Sequence, residues 1–211
     1  MMEKTIDVII PTYHPGREFE QLIERLYKQD CPINKIIIMN TEDALWNKEW
    51  DEKYPFLEVH HIPKAEFDHG GTRKKAAGLS EADIMVFMTQ DALPADRHLL
   101  RNLTEALYAD EQTGAAYARQ LPNADCSFVE RYIFEKLGGF VDRTIFNEDM
   151  IYAGNLIQAG YKIAYAAEAR VIHSHNYSCI QQFHRNFDLG VSQAEHPEIF
   201  ESVKSEGEGI R

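Results

Sequence analysis

Short apolar segments alternate with helical segments along the first part of this 211-residue chain. Between the apolar segments, hydrophobic residues recur with the spacing of an amphipathic helix, as at Phe19, Leu22, Ile23 and Leu26. Strands that alternate with helices predict an α/β fold with a mostly parallel central sheet flanked by helices. The predicted strands lie at residues 6–10, 35–39, 57–62, 84–88 and 114–118.

The order of elements is looser beyond residue 119. Gly138 and Gly139 are expected to end a short helix, and Asn147 is a suitable N-cap for a longer one. The length fits a single domain over residues 1–204, followed by a flexible polar tail at residues 205–211. The predicted elements here are helices at 132–137 and 149–158, strands at 162–166 and 169–173, and a last helix from Ile180.

Composition excludes several classes of protein. The net charge of −12 argues against sequence-independent nucleic-acid binding, which needs a positive surface. No apolar run reaches the roughly 18 residues that span a bilayer, and the N-terminal segment has no signal-peptide core, so we expect a cytoplasmic protein. Cys31, Cys126 and Cys179 are odd in number and lack metal-ligand spacing, which favours reduced thiols.

Acidic and histidine residues follow predicted strands or begin predicted helices. Asp91 comes just after the strand at 84–88, Glu148 and Asp149 begin a helix, and His173 and His175 follow a late strand. In open α/β sheets, ligands bind at the carboxyl ends of the strands. The combination predicts a metal-plus-base site that acts on an activated phosphate ester of a sugar.

The predicted metal is Mn²⁺ or Mg²⁺, which prefer oxygen ligands and often bind through one or two carboxylates plus phosphate and water. Asp91 is the expected anchor, with His173 or His175 completing the coordination. The alternative for Asp91 is a turn or helix-cap aspartate before Pro94.

A glycine pair begins the helix near residue 70. Gly70 and Gly71 would let the backbone approach a ligand closely, and free N–H groups at a helix start favour phosphate. The Arg73 guanidinium would donate several hydrogen bonds to a diphosphate or to sugar hydroxyls. Asp68 would accept a hydrogen bond from the nucleotide base or from a sugar hydroxyl. The alternative is a glycine-rich helix start with a solvated basic turn. The dinucleotide-binding and P-loop glycine motifs are absent from the sequence.

Five sequence segments, in this order, resemble the inverting glycosyltransferases of family two, which have the GT-A fold. Thr89-Gln90-Asp91 stands where that family has its Asp-X-Asp metal motif, with a single acid here. Residues 67–73 and the Thr-Gln-Asp-Ala sequence are most similar to a rhamnosyltransferase-like branch. The other matching segments are residues 8–13, Gly138-Gly139-Phe140, Asn147-Glu148-Asp149 and residues 171–175.

The resemblance implies transfer of a sugar such as rhamnose, with inversion, from a dTDP- or UDP-linked donor to a hydroxyl of a cell-surface polysaccharide or lipid-linked glycan. It implies a nucleotide-binding half at 1–119, an acceptor and catalytic half at 120–178, and a C-terminal helix at 179–204. Asp149 would be the catalytic base, with Glu148 beside it; a plain acidic first turn of a helix is the alternative. The implied donor-binding residues are Pro11, Thr12, Tyr13, Asn40, Asp68, Gly70, Gly71, Arg73 and Gln90.

Two other functions remain open at this point. One is a sugar nucleotidyltransferase, although the residues after the first strand do not form its basic glycine-rich signature. The other is a non-catalytic domain that binds nucleotide sugars, because the chain is shorter near residues 125–132 than the family pattern.

A stripe of aromatic residues occurs near the end of the chain. Phe183 and Phe187 lie one turn apart, with Arg185 between them. We expect this stripe to be part of the core, and contact with a lipid-linked acceptor at the inner face of the cell membrane is the alternative.

Overall fold

The structure is a computed structural model that describes residues 4–121, 126–172 and 178–201. The tail predicted at 205–211 lies outside these residues. The strands are β1 (Ile6–Tyr13), β2 (Lys35–Thr41), β3 (Leu57–Ile62), β4 (Ile84–Met88), β5 (Leu93–Pro94), β6 (Thr113–Leu121), β7 (Cys126–Glu130) and β8 (Lys162–Ile172). The helices are α1 (Arg17–Tyr27), α2 (Glu49–Lys53), α3 (His69–Ala77), α4 (Leu99–Leu107), α5 (Arg131–Lys136), α6 (Glu148–Gln158), α7 (Cys179–Glu195) and α8 (Pro197–Phe200).

The strands form one mixed, mostly parallel sheet in the order β3-β2-β1-β4-β7-β6-β8-β5. The first four strands of this order are parallel to one another, and β6 is parallel to β8. β7 runs antiparallel to both β4 and β6, and the two-residue β5 is antiparallel to β8. The predicted fold class is therefore confirmed.

Helices cover both faces of the sheet because successive strand residues point to opposite sides. Val8 and Ile10 pack with α1 and α4 on one face, whereas Ile9 and Ile37 pack with α3, α5 and α6 on the other. The apolar runs of β2 and β4, and that of β1 apart from the buried Asp7, follow from this two-sided burial. Thr89, which follows β4, and the acids that begin α6 line one cavity.

Element boundaries differ from the prediction in the second half of the chain. β8 is a single strand instead of two, because its pairing with β6 continues across an irregularity between the Ala118–Ala166 and Arg119–Arg170 pairs. Asn147 precedes α6 as predicted, but its φ is +66° and its side chain makes no capping hydrogen bond. The predicted C-terminal glycines of α5 and α6 do adopt left-handed conformations: Gly138 at +85°, Gly139 at +72° and Gly160 at +88°.

The prediction that the aromatic stripe of α7 belongs to the core is wrong. Ile180, Phe183 and Phe187 are 70%, 67% and 63% exposed. The side of α7 that faces the protein carries Arg185 and Ser192 instead, which contact the loop before α6. Amphipathic spacing specifies a stripe, and it does not specify what covers that stripe. Within the described residues, none of the helices is both long and apolar enough to cross a bilayer.

Candidate active site

The ends of β1 and β4 are joined by one side chain at the carboxyl edge of the sheet. Gln90 Oε1 accepts a hydrogen bond from the Tyr13 N–H at 2.9 Å, and Gln90 Nε2 donates to the Tyr13 carbonyl at 3.1 Å. The Tyr13 ring is 48% exposed, and Lys64 Nζ lies 5.3 Å from its centroid. Tyr13, which follows Pro11 and Thr12, therefore presents an aromatic face to solvent from a fixed backbone.

The end of β2 is held by a buried polar network. Asn40 is fully buried; its Oδ1 accepts from Thr12 Oγ1 at 3.0 Å, and its Nδ2 contacts the Glu42 carbonyl at 3.1 Å and His61 Nδ1 at 3.1 Å. Asn40 could contact a nucleotide-sugar ligand, as the sequence predicts, only if it gave up one of these hydrogen-bond partners. His14 and Glu42 follow β1 and β2 with φ of +47° and +70°, and such strained backbone is often found at ligand sites.

The start of α3 is bonded to the loop that precedes α6. Asp68 accepts hydrogen bonds from the N–H groups of Gly71 at 2.8 Å, Arg143 at 2.8 Å and Thr144 at 3.0 Å. A Cβ added to Gly70 would lie 1.9 Å from the Val141 carbonyl oxygen, and one added to Gly71 would lie 2.4 Å from Asp68 Oδ2. Internal packing therefore accounts for both glycines.

Arg73 and Glu148 form a largely buried ion pair between α3 and α6. Their Nη1 and Oε1 atoms are 2.8 Å apart, and the side chains are only 12% and 10% exposed. Arg73 Nη1 also donates to the His69 carbonyl at 3.2 Å. Glu148 is thus directed into the protein, whereas the neighbouring Asp149 is exposed.

An aromatic cluster lies beside this ion pair. The His69 ring stacks on Phe146 at a centroid distance of 5.4 Å, and the Arg185 guanidinium lies 4.9 Å from the Phe146 centroid. The Phe146 carbonyl accepts from Thr144 Oγ1 at 2.5 Å and from Ser192 Oγ at 2.6 Å. Burial lowers the pKa of His69, a shift that the Glu148 carboxylate opposes and the Arg73 charge reinforces. His69 is consequently a neutral ring at physiological pH.

These groups surround a cavity of about 510 Å³ that connects the end of β4 with the start of α6. Thr89, two residues before Asp91, and Asp149 both line this cavity. Three buried polar atoms of lining residues, Thr89 Oγ1, Asn147 Nδ2 and the Tyr152 hydroxyl, lack a hydrogen-bond partner in the described part of the chain. The remaining polar lining is His69, Arg73, Gln120, Glu148 and Arg185, and the apolar lining includes Phe87, Val129, Phe140, Tyr152 and Ile163.

The donor set for a divalent cation is small. Asp91 supplies one carboxylate at the end of β4, which suits a cation that takes its other ligands from phosphate and water. Among residues 4–121, 126–172 and 178–201, no cluster of three or more His, Cys, Asp or Glu side chains could hold a metal. The other predicted ligands, His173 and His175, lie outside the described residues. The sequence-based roles of Asp91 and Asp149 remain predictions.

Sequence reasoning missed three side chains that shape the cavity: His69, Phe146 and Arg185. His69 was part of a recognised segment, but nothing in the sequence indicates that it stacks on Phe146. The sequence shows Arg185 between Phe183 and Phe187, but on a helix it lies on the side opposite those two rings.

The fold is that of a GT-A glycosyltransferase. Among solved structures, the mannosyltransferase PcManGT from Pyrobaculum calidifontis, in complex with GDP-Man and Mn²⁺, matches with a TM-score of 0.71. The match covers 95% of this chain and 70% of that chain, at 18% sequence identity. At this identity the match establishes the fold.

The sequence model described as glycosyl transferase family 2 matches residues 7–174, and the chain belongs to this family. The O-antigen chain rhamnosyltransferase RfbN of Salmonella typhimurium is 33% identical over 252 residues, covering 98% of this chain and 78% of RfbN. The O-antigen chain rhamnosyltransferase WbaN of Salmonella anatum is 35% identical over 245 residues, covering 97% of this chain and 77% of WbaN. The predicted resemblance to the rhamnosyltransferase-like branch is thus confirmed.

Both alignments are longer than the 211 residues of this chain. Each relative therefore has residues inside the aligned region that this chain lacks. A shortening near residues 125–132, as predicted from the sequence, would account for the difference.

Proposed function

We propose that this protein transfers rhamnose, with inversion, from a nucleotide-diphosphate donor to a hydroxyl group of a growing cell-surface polysaccharide or lipid-linked glycan. The supporting observation is the cavity between the end of β4 and the start of α6, with Asp149 exposed at its lining. The names of the two relatives support the sugar and the acceptor class. In this proposal the protein works in the cytoplasm, at the inner face of the cell membrane.

Asp149 is the base in the proposed reaction. The acceptor oxygen attacks the anomeric carbon from the side opposite the diphosphate, a new carbon–oxygen bond forms, and the bond to the diphosphate oxygen breaks. The hydroxyl proton passes to the Asp149 carboxylate, and the bond electrons leave with the diphosphate. Displacement from the opposite side inverts the anomeric centre. Asp149 suits this role because it is exposed, while Glu148 is paired with Arg73.

The nucleoside is assigned to the edge formed by β1 and β2. The exposed Tyr13 ring provides a flat face for a pyrimidine, and Gln90 fixes the backbone of Tyr13. A thymine or uracil base is consistent with such a face, so dTDP- and UDP-linked donors are the first to test. Lys64, which lies over the same ring, adds a positive charge near this edge.

Asp91 is the residue assigned to hold Mn²⁺ or Mg²⁺. When bound, such a cation neutralises charge on the leaving phosphate. Asp91 follows β4, and ligands of open α/β sheets bind at the carboxyl ends of the strands, which supports this assignment.

One alternative function is favoured by a specific observation. The relatives have residues inside the aligned region that this chain lacks, and these could include part of the acceptor site. The chain would then bind a nucleotide sugar without transferring it.

The proposal is tested by thermal unfolding with UDP, dTDP, GDP and their sugar derivatives, each with and without Mn²⁺, followed by transfer assays. We expect dTDP or UDP species to raise the unfolding temperature only with metal, because ligands that bind the folded state stabilise it. Transfer of rhamnose with inversion would complete the test. Donor binding without turnover on any polysaccharide or lipid-linked acceptor would favour the alternative, and no stabilisation by any nucleotide would refute both.

A further inference from the structure

The segment from Asp68 to Arg73 contacts the loop before α6 through Asp68, His69 and Gly70, and the first residue of α6 through Arg73. We call this segment the α3 clamp and residues 141–147 the catalytic loop. The contacts of the α3 clamp with the catalytic loop include two hydrogen bonds from backbone N–H groups, one close backbone approach and one ring stack, and an ion pair joins the clamp to Glu148. The sequence prediction placed the same segment at the donor, so the contacts give it a second interpretation.

Asp68 holds the middle of the catalytic loop. Its Oδ2 accepts from the N–H groups of Gly71 and Arg143, and its Oδ1 accepts from the N–H of Thr144. A carboxylate that accepts hydrogen bonds from three backbone N–H groups stabilises the local backbone conformation strongly, because hydrogen bonds to a charged group are stronger than neutral ones. Arg143 has a φ of +61°, so the loop is held in a conformation that a non-glycine residue rarely adopts.

Gly70 allows the loop to lie directly on α3. A methyl group at this position would come within 1.9 Å of the Val141 carbonyl oxygen. Thr72, on the same helix, is buried. The absence of a side chain at Gly70 is therefore explained by the approach of the loop, and it does not require a ligand.

Arg73 joins the clamp to the first residue of α6. Its guanidinium lies 2.8 Å from Glu148, and both side chains are nearly buried. Removal of one member of such a pair leaves a buried charge without compensation. Glu148 immediately precedes Asp149, so any displacement of Glu148 moves the backbone of Asp149 as well.

We infer that the α3 clamp positions Asp149, and that Arg73 is a positioning residue that acts through Glu148 and not a ligand of the donor diphosphate. This inference rests on the proposed function for the role of Asp149. The clamp itself is a set of contacts that can be tested without any sugar transfer.

The first test is hydrogen exchange of the whole protein followed by mass spectrometry. In Arg73→Met, peptides that cover residues 141–149 should exchange faster, while peptides from β1 and β4 should exchange as in the unmodified protein. Glu148→Gln should have the same effect, and Lys75→Met, an exposed residue of the same helix, should have none. Unchanged exchange at 141–149 in both pair variants would overturn the clamp.

The second test separates positioning from donor binding. Arg73→Met should bind dTDP- or UDP-sugar with Mn²⁺ as the unmodified protein does, while kcat falls about 100-fold, the order expected for a misplaced catalytic group. Arg73→Lys, which retains the charge, should recover much of the lost kcat. Loss of donor affinity with unchanged kcat at saturating donor would instead assign Arg73 to the diphosphate.

The two tests fail independently. If the unmodified protein transfers no sugar, the proposed function fails, and hydrogen exchange still decides whether the clamp exists. If transfer occurs and exchange at 141–149 does not depend on Arg73, the positioning role fails while the proposed function stands. If Arg73→Met does not fold, Glu148→Gln, which removes the other member of the pair, provides the same comparison.

Discussion

Gln90 binds the backbone of Tyr13 with both ends of its side-chain amide, at 2.9 Å and 3.1 Å. The residue stands in the middle of the Thr89-Gln90-Asp91 turn. One amide thereby connects the turn that carries Asp91 to the turn that carries Tyr13. An acid at this position could accept from the Tyr13 N–H, but it could not donate to the carbonyl.

Gln90→Glu should therefore weaken the connection. The lost donor and the repulsion between a carboxylate and the Tyr13 carbonyl should cost about 1 kcal/mol of unfolding free energy, measured by urea denaturation. Gln112→Glu, an exposed glutamine with the same change of charge, is the control. Equal unfolding midpoints for the two variants would contradict a role for the Gln90 amide.

Asp149→Asn should remove transfer and spare donor binding. Asparagine keeps the size of the side chain and cannot take the acceptor proton, so kcat should fall by about 100- to 10,000-fold. Calorimetry with the nucleotide sugar measures the binding, and Asp110→Asn, which weakens an exposed ion pair with Lys162, is the control. Turnover at the normal rate would remove Asp149 from the mechanism.

Asp91→Asn should abolish the part of nucleotide stabilisation that depends on metal. A ligand present at about 100 times its Kd stabilises the folded state by about 2.7 kcal/mol, and this gain should be lost. Thermal unfolding with dTDP or UDP measures it, with and without Mn²⁺. Without nucleotide, the variant should unfold at the same temperature as the unmodified protein. A metal-dependent shift that persists in Asp91→Asn would exclude Asp91 as the anchor.

His69→Gln should flatten the pH dependence of stability on the acid side. The pKa of His69 is lowered from its ordinary value of 6.5, chiefly by burial. The unfolded chain therefore takes up a proton at a higher pH than the folded protein, and stability is lost as the pH falls below 6.5. Urea denaturation between pH 7.5 and 5.0 should show a smaller loss for His69→Gln. Parallel curves for the two proteins would show that His69 does not contribute.

Removal of the exposed aromatic rings of α7 should affect lipid contact without affecting folding. Phe183→Ser with Phe187→Ser should change the unfolding free energy by less than about 0.5 kcal/mol per site, as is usual for exposed positions. Flotation with vesicles of phosphatidylethanolamine and phosphatidylglycerol should be reduced if the stripe contacts a membrane. Tyr27→Ser with Tyr132→Ser removes two exposed rings elsewhere and is the control. Equal flotation of both variants would exclude membrane contact through α7.

The sheet was largely predictable because its inner strands are buried on both faces. β2 and β4 contain continuous apolar runs, β1 contains one that only the buried Asp7 interrupts, and such runs identify buried parallel strands. β5 was missed because a two-residue strand such as Leu93–Pro94 leaves no periodic pattern. β8 was divided in two because its irregular pairing interrupts the apolar alternation.

The candidate site was predictable as far as strand ends and helix starts define it. Asp91 and Asp149 follow from such local signals. The Arg73–Glu148 pair does not, because it depends on how α3 and α6 pack, and the two residues lie far apart in the sequence. The outward direction of Phe183 and Phe187 was mispredicted for the same reason: a single helix cannot indicate which of its faces meets the rest of the protein.

One side of helix α7 contacts the loop before α6, and the other side carries exposed aromatic rings. Ser192 donates a hydrogen bond to the Phe146 carbonyl, and the Arg185 guanidinium lies over the Phe146 ring, close in sequence to the two acids that begin α6. The rings of Phe183 and Phe187 on the same helix are exposed. Both sets of residues lie on one continuous helix, and Ser192 connects that helix to the Phe146 carbonyl. A displacement of α7 at its outer rings would therefore also displace its contacts with Phe146, two residues before α6 begins.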